Sequence, residues 1–267
     1  MGERVMRRFN LPGLVVAGFA ALAAFAPAQA AEDVAPPHQH WEHGAVNRPF
    51  SAPFGTFDRA ALQRGYQVYK EVCAACHSLN QVAFRHLEQI GFNEAEVKAL
   101  AGQYEVEDGP NDAGEMFTRK ALPSDHFKAP FPNEKAARAA NNGAYPVDLS
   151  LVIKAREHGE DYVFAILTGY KDAPAGVTLP PGMNYNEYFP GHQIAMPQPL
   201  TADRVTYTDG TPASLAQQAH DVTTFLAWAA EPQLESRKRI GALSILFLVV
   251  LSGILYAAKR RTWSDLH

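Results

Sequence analysis

Cys73-Ala74-Ala75-Cys76-His77 decides how this chain is read, because it holds both cysteines of a 267-residue sequence. C-x-x-C-H is the signature of covalent c-type haem attachment. Two thiols separated by two residues reach the two vinyl groups of one porphyrin, and the adjoining imidazole stands below the ring as the proximal iron ligand. Two other chemistries use part of the pattern. A thioredoxin-like dithiol has no need of His77 and sits near a βαβ pattern, which is not found here. A tetrahedral Cys/His zinc site draws its remaining ligands from a second pair. No cysteine is left to supply one, and His38, His40 and His43 fall in a Pro-rich leader. The predicted cofactor is therefore a single covalent haem c on Cys73 and Cys76, with His77 on the iron.

Outward from the motif the pattern is helical. Upstream, Asp58 to Val72 places Leu62, Tyr66, Tyr69 and Cys73 on one face, with Thr56 available as N-cap. Residues 109–148 are loop-like, rich in Gly, Pro and Asn. Leu149 to Leu167 contains helical pieces broken at His158-Gly159, and residues 171–199 are irregular and proline-rich. A last soluble helix is expected from Thr211 as N-cap and Pro212 in the first turn. Leu215, Ala219, Val222, Leu226 and Ala229 form its apolar stripe, and Glu231-Pro232 ends it. No strand-rich pattern and no internal repeat emerges, so the fold is predicted to be mainly α with long loops.

Both ends carry membrane signals. Met1 to Ala30 reads as a cleaved secretory signal, with Arg4, Arg7 and Arg8 ahead of an apolar run and Ala28-Gln29-Ala30 as the cleavage site. Export places the thiols in an oxidising compartment, where haem thioethers occupy them permanently. Ile240 to Ala258 is uncharged and bracketed by Arg237-Lys238-Arg239 and Lys259-Arg260-Arg261. At 1.5 Å per residue it makes roughly 28 Å of helix, enough for the hydrocarbon core. The expected organisation is a signal peptide over 1–30, a periplasmic haem domain over 31–236, and a single-pass anchor with a short cytoplasmic tail over 237–267.

Charge narrows the partners. Residues 1–30 carry three Lys/Arg and one Asp/Glu, and residues 237–267 carry six and one, which leaves 15 basic and 26 acidic residues in 31–236. A domain of net −11 steers cationic partners and excludes nucleic acid. Glu94, Glu96, Glu105, Glu107, Asp108, Asp112 and Glu115 concentrate that charge against Lys98 alone. The run reads either as a solvated face or as a docking surface for a basic redox partner.

The second axial position is open to several residues. After the signal segment only Met116, Met183 and Met196 remain. Met196, in Ile194-Ala195-Met196-Pro197, is favoured because an apolar approach and a following proline hold a thioether rigidly, while His192 is the alternative and gives a lower potential. An open iron site for catalysis or gas sensing, and a free-standing tethered cytochrome serving an oxidase, are the competing functions.

Several further blocks accompany the haem motif in order: Asn141-Asn-Gly-Ala-Tyr-Pro-Val-Asp-Leu-Ser150, Asp161-Tyr-Val-Phe-Ala-Ile-Leu-Thr-Gly-Tyr170, Asn186-Glu-Tyr-Phe189, Ile194-Ala-Met-Pro197 and Asp221-Val-Thr-Thr-Phe-Leu-Ala-Trp-Ala-Ala-Glu-Pro232. With Arg237-Lys-Arg239 before the anchor, they make most of residues 50–265 resemble the cytochrome c1 family, the haem subunits of quinol–cytochrome c oxidoreductase (bc1) complexes. The resemblance implies a class I c-type cytochrome-like haem domain, mainly α, with one C-terminal transmembrane helix. It implies His77 and Met196 as iron ligands, Arg156 beside a haem propionate, and Tyr162 and Pro146 as haem neighbours. It also implies a one-electron relay from a Rieske iron–sulfur protein to a basic cytochrome c. The chain would serve in a dimeric complex with cytochrome b, in the lipid of a bacterial inner (cytoplasmic) membrane, without being catalytic alone. The family's usual Pro-Pro-Asp-Leu-Ser stands here as Pro146-Val147-Asp148-Leu149-Ser150. With both cysteines committed to haem, the extra disulfide of some bacterial relatives is excluded.

Overall fold

Helix α1 runs over Arg59–Glu71 because its apolar residues recur at helical spacing, and Asp58, not Thr56, caps it by accepting from Ala60 N–H at 2.9 Å. A computed structural model describes residue 50 and residues 52–156 and 159–264. The expected signal peptide, nearly all of the Pro/His leader and residues 265–267 lie outside the described residues, as does His158 of the expected break.

Among the described residues six α-helices and four short strands follow in chain order, with 3-10 stretches between them and long loops linking them. α1 leads into a 3-10 turn at Cys73–Ala75, then a second 3-10 stretch over Phe84–Ile90 and α2, Glu94–Ala101. Strands β1, Glu105–Asp108, and β2, Phe117–Lys120, pair antiparallel with Glu105 opposite Lys120. α3, Glu134–Ala140, and α4, Gly159–Thr168, precede a second short antiparallel pair, β3 (Asn184–Tyr185) with β4 (Gln193–Ile194). α5, Leu215–Ala230, and α6, Leu234–Thr262, complete the chain. The architecture is mainly helical, as expected. The β1–β2 hairpin and α3 lie partly or wholly in the stretch read as loop.

The core is the crossing of α1 and α5. Leu62, Tyr66 and Tyr69 of α1 are buried against Val222, Phe225 and Trp228 of α5, with the Phe225 ring 5.8 Å from both tyrosine rings. Phe127 completes the cluster through Tyr66, Tyr69, Phe84 and Tyr104. Fully burying a large apolar side chain is worth about 1.5–3 kcal/mol, so this cluster dominates the domain's stability. Across the same crossing, Arg64 clasps Asp221 with two bonds, Nε to Oδ2 at 2.8 Å and Nη2 to Oδ1 at 3.1 Å, and reaches Asp209 at 2.9 Å. α5 starts at Leu215 under a Ser214 cap rather than at Thr211. The Thr211 N–H is taken instead by Asp209 Oδ1 at 2.9 Å.

α6 alone among the described residues is long and apolar enough to cross a membrane. It begins at Leu234, six residues before the apolar run, because the basic triplet is part of the helix. Two of its cations tie back onto the helical domain: Arg237 pairs with Glu231, and Lys238 Nζ donates to the carbonyls of Phe50 and Ala52. Glu235 accepts from Phe57 N–H at 2.7 Å and pairs with Arg59 at 2.6 Å. The root of the anchor is thus stitched to the start of α1.

Candidate haem site

The turn after α1 gathers the motif. The Cys73 carbonyl accepts from Cys76 N–H at 3.1 Å and His77 N–H at 2.9 Å, so the chain folds back and brings both thiols and the imidazole into one turn. Tyr69 Oη donates to the His77 carbonyl at 3.4 Å. His77 Nδ1 lies 2.7 Å from the Val147 carbonyl. A carbonyl only accepts, so Nδ1 carries the proton and Nε2 keeps its lone pair for a metal. Burial lowers the His77 pKa, outweighing the Val147 bond and the Asp148 charge, which favours the neutral ring.

Burial pushes the Cys73 thiol up to about 12, the reverse of the depressed value a reactive dithiol needs. Among the described residues, no three His, Cys, Asp or Glu side chains gather as a metal-binding group.

The segment 145–151 forms a wall beside His77, and one carboxylate holds it there. Asp148 Oδ2 accepts from Ser78 Oγ at 2.7 Å and Asn80 N–H at 2.9 Å, while Oδ1 accepts from Ser150 N–H at 2.9 Å. Ser150 Oγ accepts from Gln81 N–H at 3.0 Å and Leu149 N–H donates to the Ser78 carbonyl at 2.9 Å. Burial alone would raise the Asp148 pKa, but these bonds prevail and hold it below the ordinary range. The wall carries exposed apolar side chains, Tyr145, Val147 and Leu151, and the half-buried Pro146. Pro146 sits one residue from the His77 acceptor. The acceptor itself, and Asp148 beneath it, escaped the sequence reading; the Asx turn at Asp148-Leu149-Ser150 was the available signal.

Met196 lies on a different loop, two residues beyond β4, and is half-buried. Its carbonyl accepts from Tyr170 Oη at 3.0 Å and Asn184 Nδ2 at 3.3 Å. Met116 is 57% exposed at the end of the β1–β2 hairpin, which suits a ligand poorly. Met183 is half-buried beside β3. The His192 ring stacks on Tyr185 at 5.5 Å, and its Nδ1 is buried without a partner. The structure brings Arg156 and Tyr162 together, with the guanidinium 5.9 Å from the ring centroid and Nη1 donating to the Ala155 carbonyl. Two free thiols, an imidazole with its Nδ1 proton fixed and an apolar wall beside it are a set that suits a covalently held haem.

The acidic run is less bare than its sequence suggests. Arg119 pairs with Asp108 and, at 2.6 Å, with Asp125, and Lys120 pairs with Glu105 at 3.1 Å. Glu94 and Glu96 occupy the first turn of α2, where Glu96 accepts from Asn93 N–H at 2.7 Å in a capping box. Within the run, Glu94, Glu96, Glu107, Asp112 and Glu115 are exposed and make no ion pair among the described residues, and the last three lie on and around the hairpin tip.

A C-x-x-C-H turn closing a helix that crosses a C-terminal helix, followed by an apolar span, is the arrangement of a membrane-anchored c-type cytochrome. The profile of the Cytochrome C1 family matches residues 49–266. The chain is 49% identical to "Cytochrome b/c1" of Bradyrhizobium diazoefficiens over 277 residues, 95% of this chain but 39% of that longer protein. It is 46% identical to "Cytochrome c1 2, heme protein, mitochondrial" of Arabidopsis thaliana over 99% of this chain and 84% of that one. It is 50% identical to "Cytochrome c1, heme protein, mitochondrial" of Schizosaccharomyces pombe over 82% and 71%. The chain belongs to the cytochrome c1 family. That family consists of haem-containing electron-transfer subunits of bc1 complexes, as the motif and blocks had led one to expect.

Proposed function

We propose that this chain relays single electrons from a Rieske iron–sulfur protein to a cytochrome c, as one subunit of a quinol–cytochrome c oxidoreductase. The observation that carries the reading is the His77–Val147 bond at 2.7 Å inside the C-x-x-C-H turn, which points Nε2 toward a ligand role and fixes the ring's orientation. When bound, haem c supplies a one-electron ferric/ferrous couple. Cys73 and Cys76 would hold it covalently, and His77 and Met196 would ligate its iron. A thioether donor would raise the potential, and a second protein ligand would close the iron to substrate. Arg156 would compensate the charge of a propionate, and Tyr162 and Pro146 would border the ring.

The surroundings follow from the same reading. Residues 1–30 are removed on export, residues 31–236 form the periplasmic haem domain, and residues 237–267 anchor it in a bacterial inner membrane. α6 packs against cytochrome b; the name "Cytochrome b/c1" of the Bradyrhizobium relative supports that pairing. The exposed carboxylates around the β1–β2 tip recruit a basic acceptor by long-range attraction.

An optical redox titration of wild type beside Met196→Leu tests the proposal. A wild-type midpoint well above zero that falls sharply in the variant, with carbon monoxide binding appearing only there, is the expected result. A low midpoint unmoved by the substitution, or carbon monoxide binding in the wild type, would sink His77/Met196 ligation and with it the relay.

A further inference from the structure

Two side chains from separate stretches converge on one backbone oxygen, the carbonyl of Met196. Tyr170, two residues past the end of α4, donates its hydroxyl at 3.0 Å. Asn184, in β3, donates its amide at 3.3 Å and also reaches the Ile194 carbonyl at 3.4 Å. A carbonyl offers two lone pairs, so these two donors satisfy it fully.

Both donors are themselves held. Tyr170 forms a β-bridge with Asn186, which has no exposed surface. The Asn186 amide donates to the Ile166 carbonyl of α4 at 2.8 Å, and its oxygen accepts from Tyr188 and Phe189 N–H at 3.1 and 3.2 Å. Gly169 permits this close return of the chain: a Cβ there would lie 2.4 Å from the Tyr188 ring and 2.8 Å from the Ala165 carbonyl. The Met196 loop is therefore referenced through a continuous hydrogen-bonded path to α4, which packs against α5.

We propose that Tyr170 and Asn184 are positioning residues for the distal haem ligand, an inference that rests on the His77/Met196 reading. A thioether is a weak donor to ferric iron, and on a free loop the entropy of releasing the segment favours its loss. Clamping the carbonyl of the ligating residue removes that entropy in advance and keeps external ligands out. Both residues act through the backbone of Met196.

The test measures the apparent association constant of imidazole for the ferric full-chain holoprotein in wild type, Tyr170→Phe, Asn184→Ala and the double variant. Val222→Ala, in the α1–α5 core, serves as a comparison that weakens the fold without touching the loop. Losing the Tyr170 bond should tighten imidazole binding about three- to tenfold and lower the midpoint potential. The double variant should exceed the product of the two single effects, because only there does the carbonyl lose its last donor. Val222→Ala should lower the melting temperature and leave imidazole binding unchanged. Imidazole binding in Tyr170→Phe equal to wild type, or an equal shift in Val222→Ala, overturns the positioning role. A wild type lacking the red charge-transfer band of ferric thioether-ligated haem instead overturns the ligation reading, and the positioning role falls with it.

Discussion

Replacing Gly65 by alanine sets two physical effects against each other. Gly65 lies inside α1, where alanine is favoured over glycine by about 1 kcal/mol of helix propensity. The structure predicts the opposite sign. A Cβ at position 65 would lie 2.0 Å from the Asp221 carbonyl oxygen and 2.7 Å from Phe225 Cβ, both on α5. Relieving the first contact to 3.4 Å, where ordinary van der Waals contact begins, requires about 1.4 Å of separation. A gap of 0.5–1 Å already forfeits roughly a quarter to a half of each dispersion contact. The contacts at stake are those of Leu62, Tyr66 and Tyr69 with Val222, Phe225 and Trp228, and the same movement pulls Asp221 from Arg64. Overpacking of this kind costs about 1–3 kcal/mol and sometimes more. A backbone contact this close belongs at the upper end of that range, so after the propensity gain a net loss of about 2 kcal/mol is expected. For a domain of this size each kcal/mol lowers the melting temperature by roughly 2–4 °C, so Gly65→Ala should melt about 4–8 °C below wild type. Thermal unfolding followed by far-ultraviolet circular dichroism, on samples matched for haem content, measures it. A melting temperature equal to or above wild type would refute the close approach of α1 and α5.

Three further outcomes are expected. Asp148→Ala strands the buried Ser150 N–H and the Asn80 N–H, so its urea midpoint should fall by the equivalent of about 2–4 kcal/mol; an unchanged midpoint would contradict the clamp. Arg64→Met leaves Asp221 buried without its guanidinium partner, and removing one partner of such a pair costs about 3–5 kcal/mol. Two of this network's carboxylates are held below the ordinary range. Asp221 is lowered although burial opposes it, because His220, Arg64 and Gln217 prevail, and the Thr211 N–H, then Arg64, take Asp209 down to about 2. Their contribution is therefore present above pH about 4 and is lost as pH falls through the folded values. Urea midpoints at pH 7 and pH 3 should accordingly differ more in wild type than in Arg64→Met, and parallel losses would refute that linkage. Finally, neutralising Glu107, Asp112 and Glu115 together to Gln, Asn and Gln should slow association with a basic cytochrome c at low ionic strength and flatten its salt dependence; an unchanged salt slope would remove the hairpin from the docking surface.

What the sequence determined by itself was whatever rests on spacing along one segment. The Cys73–His77 motif, the apolar faces of α1 and α5 and the uncharged run inside α6 were legible because 3.6-residue periodicity and ligand spacing are local properties. Tertiary structure decided the rest. Asp58 and Ser214 cap their helices in place of Thr56 and Thr211, since several residues compete for each cap and the neighbouring turn chooses among them. The acidic run lost part of its charge to Arg119 and Lys120, which only strand pairing brings alongside. Arg237 and Lys238 turned from membrane flank to ties on the haem domain once α6 was seen to start at Leu234. The Val147 carbonyl that meets His77 and the Met196 carbonyl that meets Tyr170 could not be singled out along the sequence. Every residue carries a carbonyl, so only the fold determines which one a given side chain meets.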